Sequence, residues 1–361
     1  MSVLRLWVLH DGKPGHYSQA LGVARLIEQR SQRPCEMRAI QAKPKLKLAN
    51  HALRFLAARA GASLLRWLPL AYRREALPDE APDLIISFGG NVLALNVALS
   101  RLLGCSNLVV GNCYGLPADS VSVNLTAFVD RARSADWQRR NIGSQVALCK
   151  TERSHCERLG NLLWEQSPAP LWTMLVGGPG SGYRYSDDDW RALVVAMAQL
   201  SRRYGIRWLL STSRRSAGAA EILRHGLNEE NCFASIYYRG PDSPSADAFL
   251  GAGERLFCTE DSLSMLSEAV AMGKPVVSLR PARAVVSGTH LRAVSYLADQ
   301  RLIERLSIGE LVDYPPTDIP PLRSYRQHLE TIYQQICALT AISAPPATRE
   351  SISLPPNLVT A

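Results

Sequence analysis

Several patterns that usually identify an enzyme class are missing from this 361-residue chain. It has no HExxH zinc motif, no GxSxG nucleophile turn and no GxxxxGK[ST] phosphate loop. Asp187-Asp-Asp189 is better explained as the acidic first turn of a helix than as a metal-binding pair. No apolar run reaches the length of about 18 residues that predicts a transmembrane helix. These absences predict no bound metal, no cofactor and no membrane span.

Disulfide and secretion signals are missing as well. The eight cysteines are scattered without a CxxC pair, at positions 35, 105, 113, 149, 156, 232, 258 and 337. They are typical of small buried residues in a reducing compartment. The apolar run in Met1–His10 is too short for a signal peptide. We therefore expect a cytoplasmic protein.

The length favours two domains, because one hydrophobic core rarely organises more than about 250–300 residues. Strand-like and helix-like segments alternate throughout, which predicts two Rossmann-like α/β domains facing across a cleft. We expect the first domain over 1–165, with a long helical region from Leu48 to Trp67 and a strand at Gln145–Lys150. The boundary falls in Gly160–Pro170. A second domain over 171–320, a last helix at 321–341 and a disordered tail at 343–361 complete the prediction.

The net charge of +9 predicts an acidic partner. Nucleic acid is not expected, because no nucleic-acid-binding module is present. An anionic membrane surface or a phosphorylated substrate remains. Residues 43–74 carry eight Lys and Arg and no acidic residue, interleaved with apolar side chains. This segment predicts a basic amphipathic element on a membrane surface, while a core helix with a solvated basic face stays an equal alternative.

Two loops follow strands in the first half. Asp11-Gly-Lys-Pro-Gly-His16 opens the first helix, at the carboxyl edge of the predicted sheet, where ligands bind in such folds. His16 could act there as a general base, or it could simply be a solvated residue at the helix entry. Ser87-Phe-Gly-Gly-Asn91 ends another strand, and its glycines indicate either close approach of a ligand or a plain strand-to-helix turn with Asn91 as the N-cap.

Two further loops follow strands in the second half. Gly177-Gly-Pro-Gly-Ser-Gly-Tyr-Arg184 could present backbone N–H groups to an anion, with Arg184 adding charge, or form a flexible hairpin. Ser211-Thr-Ser-Arg-Arg215 places hydroxyl and guanidinium groups on the same edge. Either Arg214 or Arg215 could hold a phosphate through two hydrogen bonds.

Residues 257–279 read as strand, polar turn, helix and second strand. Thr259, Glu260, Asp261 and Ser262 fall where the helix begins and its N–H groups are unpaired. Glu268 lies on the same helix beside apolar residues, where a carboxylate needs a hydrogen-bonding partner such as a ribose diol. This pattern predicts a nucleotide or nucleotide-sugar pocket.

At these residues the chain resembles the elongated-mitochondria (ELM-type) mitochondrial fission proteins and their bacterial relatives. The matching pieces are Asp11–His16 with Gln19, Ser87–Gly90, Gly177–Gly180, Ser211–Arg215 and Thr259–Ser262 through Glu268 to Pro275. Their order is also similar to the two-domain GT-B glycosyltransferases, notably the N-acetylglucosaminyltransferase of peptidoglycan synthesis. Asp-Gly-Lys-Pro-Gly-His replaces the glycine-only first loop of that enzyme, and Thr-Glu-Asp-Ser replaces its small-residue helix start.

The resemblance implies roles for these loops. His16 matches the catalytic-base loop, with Asp11 as the less favoured base, and Lys13, Gly15, Gly89, Gly90 and Asn91 form acceptor-side loops. Glu268 matches the ribose-binding carboxylate. The full set expected to bind the nucleotide sugar is Gly177, Gly178, Gly180, Ser181, Arg184, Ser211, Thr212, Ser213, Arg214, Arg215, Thr259, Glu260, Asp261, Ser262, Ser264 and Glu268.

The resulting hypothesis is an inverting, metal-independent glycosyltransferase, peripheral on the inner membrane, which moves a sugar from a nucleotide diphosphate donor to a cell-envelope glycan or a lipid-linked acceptor. One alternative is a non-catalytic adaptor that binds membrane or protein, as the fission proteins imply. Another is a nucleotide-sugar epimerase, for which Glu260 and Asp261 are the convenient carboxylates.

Overall fold

Alternation along the first strand shows how the sheets form. Leu6 and Val8 enter one apolar cluster of buried side chains, whereas Trp7 and Leu9 enter another. Successive side chains of a strand point to opposite faces, so this strand is covered on both sides. The computed structural model describes residues 2–128, 135–240, 242–316, 325–340 and 342.

The strands are β1 (Leu4–His10), β2 (Cys35–Pro44), β3 (Tyr72–Arg74), β4 (Leu84–Phe88), β5 (Ser106–Val110), β6 (Val123–Ala127), β7 (Asn141–Ser144), β8 (Leu171–Val176), β9 (Tyr183–Arg184), β10 (Arg207–Thr212), β11 (Cys232–Ile236), β12 (Arg255–Thr259), β13 (Val276–Arg280), β14 (Arg283–Ala284) and β15 (Glu304–Ser307). The α-helices are α1 (Pro14–Arg30), α2 (Asn50–Arg59), α3 (Ala62–Leu65), α4 (Leu93–Leu103), α5 (Ala135–Gln138), α6 (Arg153–Gln166), α7 (Asp187–Tyr204), α8 (Ala217–Gly226), α9 (Asp247–Ala252), α10 (Leu263–Ala271), α11 (Gly288–Asp299) and α12 (Tyr325–Leu339).

The chain divides into two compact units. The first comprises residues 1–150 and 326–361, and the second comprises 151–325. In the first unit the strand order is β3-β2-β1-β4-β5-β6-β7, parallel throughout except for the β2–β3 pair. The order reverses direction between β1 and β4. Such a reversal is where open α/β sheets bind ligands, outside the carboxyl ends of the strands.

Helices cover both faces of the first sheet. The buried residues of α4 join the cluster of Trp7 and Leu9. On the other face, α1 packs beside α12, whose Ile332 and Ile336 are buried in the same cluster as Val8. The last helix is therefore part of the first unit.

The second unit repeats this design with six parallel strands in the order β11-β10-β8-β12-β13-β15. Counted along the chain, this is the Rossmann order 3-2-1-4-5-6, with its reversal between β8 and β12. Stacked and edge-to-face rings fill the core on one face, with Trp172 at 5.5 Å from Phe257 and 5.6 Å from Trp208 between ring centroids. The predicted fold class of two Rossmann-like α/β domains is confirmed.

Several predicted elements differ from the observed ones. The predicted boundary in Gly160–Pro170 overlaps α6. The second unit starts at residue 151, before this helix, instead of at the predicted residue 171. Gly160 is small because a Cβ there would collide with the backbone of Gly251 and Ala252 in α9, so it serves close helix packing and not a linker. The predicted last helix at 321–341 is observed as α12, and residues 321–324 lie outside the described residues, as does the predicted tail at 343–361.

Two segments of the first unit differ from the prediction. The helical region expected from Leu48 to Trp67 is observed as α2 and α3, with a break where Ala60 and Gly61 have extended backbone. The strand expected at Gln145–Lys150 is not one; β7 ends at Ser144. The apolar side chains of Val146 and Leu148, which suggested a strand, are buried outside any strand. The Cys149 backbone lies against Gly22 of α1.

None of the eight cysteines, which all lie in the described part of the chain, forms a disulfide. Among the described helices, none combines the length and apolar character needed to cross a lipid bilayer.

Candidate functional site

The loop after β1 brings an aspartate and a histidine together at the strand-order reversal of the first unit. The Nδ1 atom of His16 lies 3.0 Å from Oδ1 and 3.2 Å from Oδ2 of Asp11. Asp11 also accepts hydrogen bonds from the backbone N–H of Lys13, at 3.2 Å, and from the side chain of Asn91, at 2.9 Å. The Lys13 side chain is exposed, with Nζ 3.8 Å from Asp11 Oδ2, and Gly15 lies in the first turn of α1.

Charge and burial fix the protonation state of this pair. Burial alone would raise the pKa of Asp11, but His16, the Lys13 amide and Asn91 together lower it below its ordinary value. Burial lowers the pKa of His16 more than the Asp11 carboxylate raises it. Because an ionised carboxylate only accepts hydrogen bonds, Nδ1 of His16 must be the donor. Nε2 then carries the lone pair, which suits a general base near neutral pH.

The loop after β4 packs directly against this pair. Gly89 has φ +93°, and a Cβ there would lie 2.7 Å from Nδ1 of His16. The imidazole also packs on Phe88, with ring centroids 4.6 Å apart. Asn91 links the pair to α2, because its Oδ1 accepts a hydrogen bond of 3.1 Å from Asn50. Glycine at 89 is thus required for the imidazole to approach the backbone. The helix α4 begins at Leu93 with Val92 as its N-cap, so Asn91 does not have the N-cap position that was one of its two predicted roles.

In the second unit, a glycine-rich loop follows β8 at the corresponding reversal. The N–H of Gly177 donates to Oγ1 of Thr259, at 2.6 Å, and Gly180 forms an isolated bridge with Tyr183. Ser181 and Gly182 have positive φ values of 54° and 94°. Among the described residues, no acceptor is paired with the N–H of either residue. The free donors of the loop are therefore at Ser181 and Gly182, later in the loop than its first two glycines.

The side chain of Asp261 packs against this loop. Its side chain is fully buried, and Oδ2 lies 2.6 Å from Nη2 of Arg215, while the Tyr185 hydroxyl donates to Oδ1 at 2.9 Å. Burial raises the pKa of Asp261, and the Arg215 guanidinium opposes that rise. A Cβ on Gly177 would collide with the Asp261 carboxylate, and one on Gly178 or Gly180 would collide with Arg215. These three glycines let the loop lie close against the Asp261–Arg215 ion pair.

Glu260 has protein partners on both carboxylate oxygens. Arg305 donates through Nε and Nη2 at 2.9 and 2.7 Å, the Tyr183 hydroxyl donates at 2.6 Å, and Ser278 donates at 3.2 Å. Burial would raise the pKa of Glu260, but these donors lower it below its ordinary value. With this set of partners, Glu260 ties β9, β13 and β15 together. Its position gives no support to the proton-transfer role that the epimerase alternative requires.

Hydroxyl groups in and beside the loop after β10 join it by hydrogen bonds to neighbouring segments. Ser213 donates to the Gly177 carbonyl at 2.5 Å, and Thr212 accepts from the Tyr238 N–H at 2.9 Å, beside the buried Ser211. Ser216, which the sequence analysis did not single out, donates to the Val176 carbonyl at 2.7 Å. Arg214 is exposed, and no ion pair or hydrogen bond joins it to another part of the chain that the structure describes.

The helix α10 begins as expected. Ser262 is its N-cap and accepts from the N–H of Met265 at 3.5 Å, and Ser264 and Glu268 are half-buried. Burial raises the pKa of Cys258 most, and the carboxylates of Asp261 and then Glu268 raise it further.

Two arginines lie beside the glycine loop, and only one of them, Arg184, was predicted from the sequence. Arg184 on β9 is the cross-strand partner of Arg283 on β14, and both are exposed. The N–H of Val285, just after β14, donates to the Gly182 carbonyl at 2.9 Å, so this short sheet is anchored to the loop. Like charges on directly opposite strand positions repel, and an anion between them would remove that cost. Arg283 carries no motif that could have revealed it.

Solved structures give the fold an outside reference. A structure of Arabidopsis thaliana UGT89C1 complexed with UDP matches 95% of this chain and 100% of its own, at 11% identity and a TM-score of 0.50. A Staphylococcus aureus MnaA–UDP structure matches 95% of this chain and 93% of its own, at 10% identity and a TM-score of 0.49. Acinetobacter baumannii MurG covers 93% and 94%, at 15% identity and a TM-score of 0.45. At 11% identity, the likeness to UGT89C1 shows a shared fold and nothing beyond it.

A search among proteins of curated function finds no match. The family model described as mitochondrial fission ELM1, in contrast, matches residues 14–335, which include most of the loops described above. The match spans both units. The chain therefore belongs to the mitochondrial fission ELM1 family.

Proposed function

We propose that this protein is an inverting glycosyltransferase that needs no metal and moves a sugar from a nucleotide diphosphate donor to a cell-envelope glycan or a lipid-linked acceptor. The observation that carries the proposal is the Asp11–His16 pair, 3.0 Å apart, at the strand-order reversal of a Rossmann-like unit. A histidine whose Nδ1 is held by a buried carboxylate has the tautomer and orientation of a general base.

The acceptor hydroxyl would give its proton to Nε2 of His16. Its oxygen then forms a bond to the anomeric carbon of the donor sugar, and the bond from that carbon to the diphosphate oxygen breaks with its electron pair. Asp11 stays ionised, fixes the tautomer and stabilises the imidazolium as it forms. Attack opposite the leaving group inverts the configuration at the anomeric carbon.

The departing diphosphate would be stabilised in the second unit. Suitable donors are the N–H groups of Ser181 and Gly182 and the first turn of α10 after Ser262. Arg184 and Arg283 add positive charge beside that loop, and Arg214 has no carboxylate partner among the described side chains. Preorganised donors of this kind stabilise the charge that develops in the transition state. Glu268 remains the proposed ribose partner on α10.

The test is a His16→Ala variant, assayed for sugar transfer and for donor hydrolysis with UDP-, GDP- and ADP-sugars. Loss of a general base lowers turnover by about 10²–10⁴-fold. The pH dependence adds a second readout. Because burial lowers the pKa of His16 below its ordinary value, kcat/KM should rise with pH through that lowered pKa and level off above it. The acidic limb should vanish in the variant.

The matched control is His10→Ala, which removes the imidazole at the end of the same strand. It should keep most of the activity. A His16→Ala enzyme with wild-type turnover would remove the base assignment. A wild-type protein that binds none of these nucleotides in calorimetry would favour the adaptor alternative.

We also propose that residues 43–73 bind an anionic membrane surface, where a lipid-linked acceptor would be found. Large apolar side chains are exposed along this stretch, and we call them and the cations among them the basic apolar surface: Leu46, Leu48, Phe55, Leu56, Leu64, Trp67 and Leu70, with Lys43, Lys45, Arg59, Arg66 and Arg73. Leu48 is 99% exposed. Apolar side chains among cations suit insertion at the headgroup level of a bilayer with anionic lipids.

A further inference from the structure

One cation of α2 differs from its neighbours. Arg54 is only 7% exposed, whereas Arg59, one turn later, is exposed and lies over the ring of Phe55. No carboxylate of the described chain pairs with Arg54, and the sequence has no acidic residue between Glu36 and Glu75. Arg54 is one of the eight cations in residues 43–74 that were predicted to form an exposed basic face, and for Arg54 this prediction is wrong. A largely buried cation without an acidic partner favours the binding of a negative charge from elsewhere.

The guanidinium lies beside the loop after β4. A Cβ on Gly90 would be 3.3 Å from Nη1 of Arg54 and 3.1 Å from the ring of Tyr114. The guanidinium itself lies 5.1 Å from the centre of that ring. Tyr114 has a φ of +47°. A bulky residue in that region costs about 1–3 kcal/mol and is typically retained where a ligand is bound.

A second polar atom on the same face of α2 lacks a partner. Asn50 precedes Arg54 by one turn, and its Oδ1 is buried without a hydrogen bond in the part of the chain that the structure describes. Its amide nitrogen donates to Asn91, which in turn donates to Asp11, the partner of His16. A Cβ on Gly89 would meet the imidazole and one on Gly90 would meet the guanidinium, so both groups lie beside the same loop.

We propose that Arg54, with Asn50 and the Gly90–Tyr114 contact, is a binding site for a phosphate group of the acceptor. The planar guanidinium can donate two parallel hydrogen bonds to two phosphate oxygens, and a protonated phosphate oxygen can donate to Asn50 Oδ1. Binding supplies the negative charge that the first unit lacks at this point, and it holds the acceptor beside the base. This inference rests on the proposed function for the identity of the phosphate carrier, but not for the existence of the anion site.

The test is calorimetry on the full chain with geranyl phosphate, with geraniol as the neutral counterpart and glycerol 3-phosphate as the soluble one. Arg54→Gln should weaken binding of geranyl phosphate by about 10–100-fold, the range expected for charge-assisted hydrogen bonds. Arg38→Gln, an exposed arginine on β2 of the same unit, is the matched control and should bind like the wild type. Gly90→Ala should also weaken binding, because its methyl group would fill the space between Arg54 and Tyr114.

The thermal midpoint without ligand separates binding from structure. Removing an unpaired buried cation should leave the midpoint of Arg54→Gln unchanged or raise it. If Arg54→Gln does not fold, Arg54→Lys and Gly90→Ala carry the test. A lower midpoint with unchanged affinity would show that Arg54 is structural and overturn the proposal, and equal losses in Arg54→Gln and Arg38→Gln would do the same.

The probes identify the phosphate carrier. Binding of geranyl phosphate but not of glycerol 3-phosphate supports the site and indicates a lipid-linked acceptor, whereas equal binding supports it and indicates a soluble phosphorylated one. Tighter binding of geraniol than of either phosphate would overturn it. If no donor is consumed but Arg54-dependent phosphate binding remains, only the glycosyltransferase proposal fails. If transfer proceeds and Arg54→Gln changes neither affinity nor acceptor KM, only the phosphate site fails.

Discussion

The same sheet position carries differently built clusters in the two units. Between β1 and β4, the first unit holds a half-exposed imidazole, and Nε2 of His16 has no partner among the described residues. Between β8 and β12, the second unit holds two buried carboxylates, Glu260 and Asp261. Each forms an ion pair with an arginine and accepts a hydrogen bond from a tyrosine. The first cluster keeps a group that can exchange a proton. The second uses its charged side chains to fix a glycine loop whose free groups are backbone N–H donors.

Glu260→Gln tests the structural half of this contrast most strongly. The variant keeps the shape of the side chain but replaces one acceptor oxygen with a donor and leaves Arg305 without a counter-charge. Breaking a buried pair by removing one partner costs about 3–5 kcal/mol. Urea unfolding of the second unit at pH 7 should show a loss of that size. Because the folded-state pKa of Glu260 is lowered, the loss should shrink as pH falls through that pKa, below 4.5.

Glu221→Gln is the matched control, since it removes a carboxylate that pairs with Arg224 on the exposed face of α8. Its stability should change by less than about 0.5 kcal/mol. A Glu260→Gln protein as stable as this control would show that the carboxylate does not tie β9, β13 and β15 together, and Glu260 would return as a candidate ligand group.

Gly178→Ala tests the backbone half. Gly178 has φ +138°, and its Cβ would collide with the carbonyl of Arg215. Strain at a φ that L-residues avoid, together with local overpacking, should cost about 2–4 kcal/mol. If the loop binds the donor diphosphate, affinity for nucleoside diphosphates should fall as well, which calorimetry can measure.

Gly218→Ala gives the comparison for that substitution. Gly218 lies in α8, and no atom stands within 4 Å of its Cβ position. Alanine there should be neutral or stabilising by up to about 1 kcal/mol. Tight nucleotide binding by Gly178→Ala would place the diphosphate elsewhere than on this loop.

Local signals allowed much of this architecture to be predicted from sequence. The helix start expected at Asp187–Asp189 is observed as the first turn of α7, because Ser186 and Asp189 form a reciprocal cap, and Gly205 ends this helix with φ +63°. The strand-end loops could be found because apolar strands followed by glycine and polar residues mark the carboxyl edge of a parallel sheet.

What the sequence could not provide were contacts between distant residues. Glu260 meets Arg305, 45 positions away, and Tyr183, 77 positions away, so no local pattern distinguishes it from the free carboxylate that was expected. Arg54 lies in a basic segment, and only the approach of Gly90 and Tyr114 separates it from its exposed neighbours. The functions of the loop glycines also depend on atoms that the sequence places far away.

The two units differ again in their exposed apolar side chains. In the first unit most of these side chains fall within residues 46–70, among cations such as Arg59 over Phe55 and Arg66 over Trp67. In the second unit they are spread along the chain, from Leu162 to Leu291. A concentrated set can enter a bilayer together, whereas scattered ones are normal for a protein surface.

The double substitution Leu48→Ser with Phe55→Ser tests this difference. We expect its effect to be smaller than those of Glu260→Gln and Gly178→Ala. Each exposed side chain gains a fraction of the roughly 1.5–3 kcal/mol available on full burial of a large apolar group. We therefore expect cosedimentation with phosphatidylglycerol-containing vesicles to weaken about tenfold. Added salt should weaken the wild type further by screening its cations. Leu162→Ser with Trp164→Ser, on α6 of the second unit, is the matched control and should bind vesicles like the wild type; equal losses in both pairs would remove the basic apolar surface as the membrane contact.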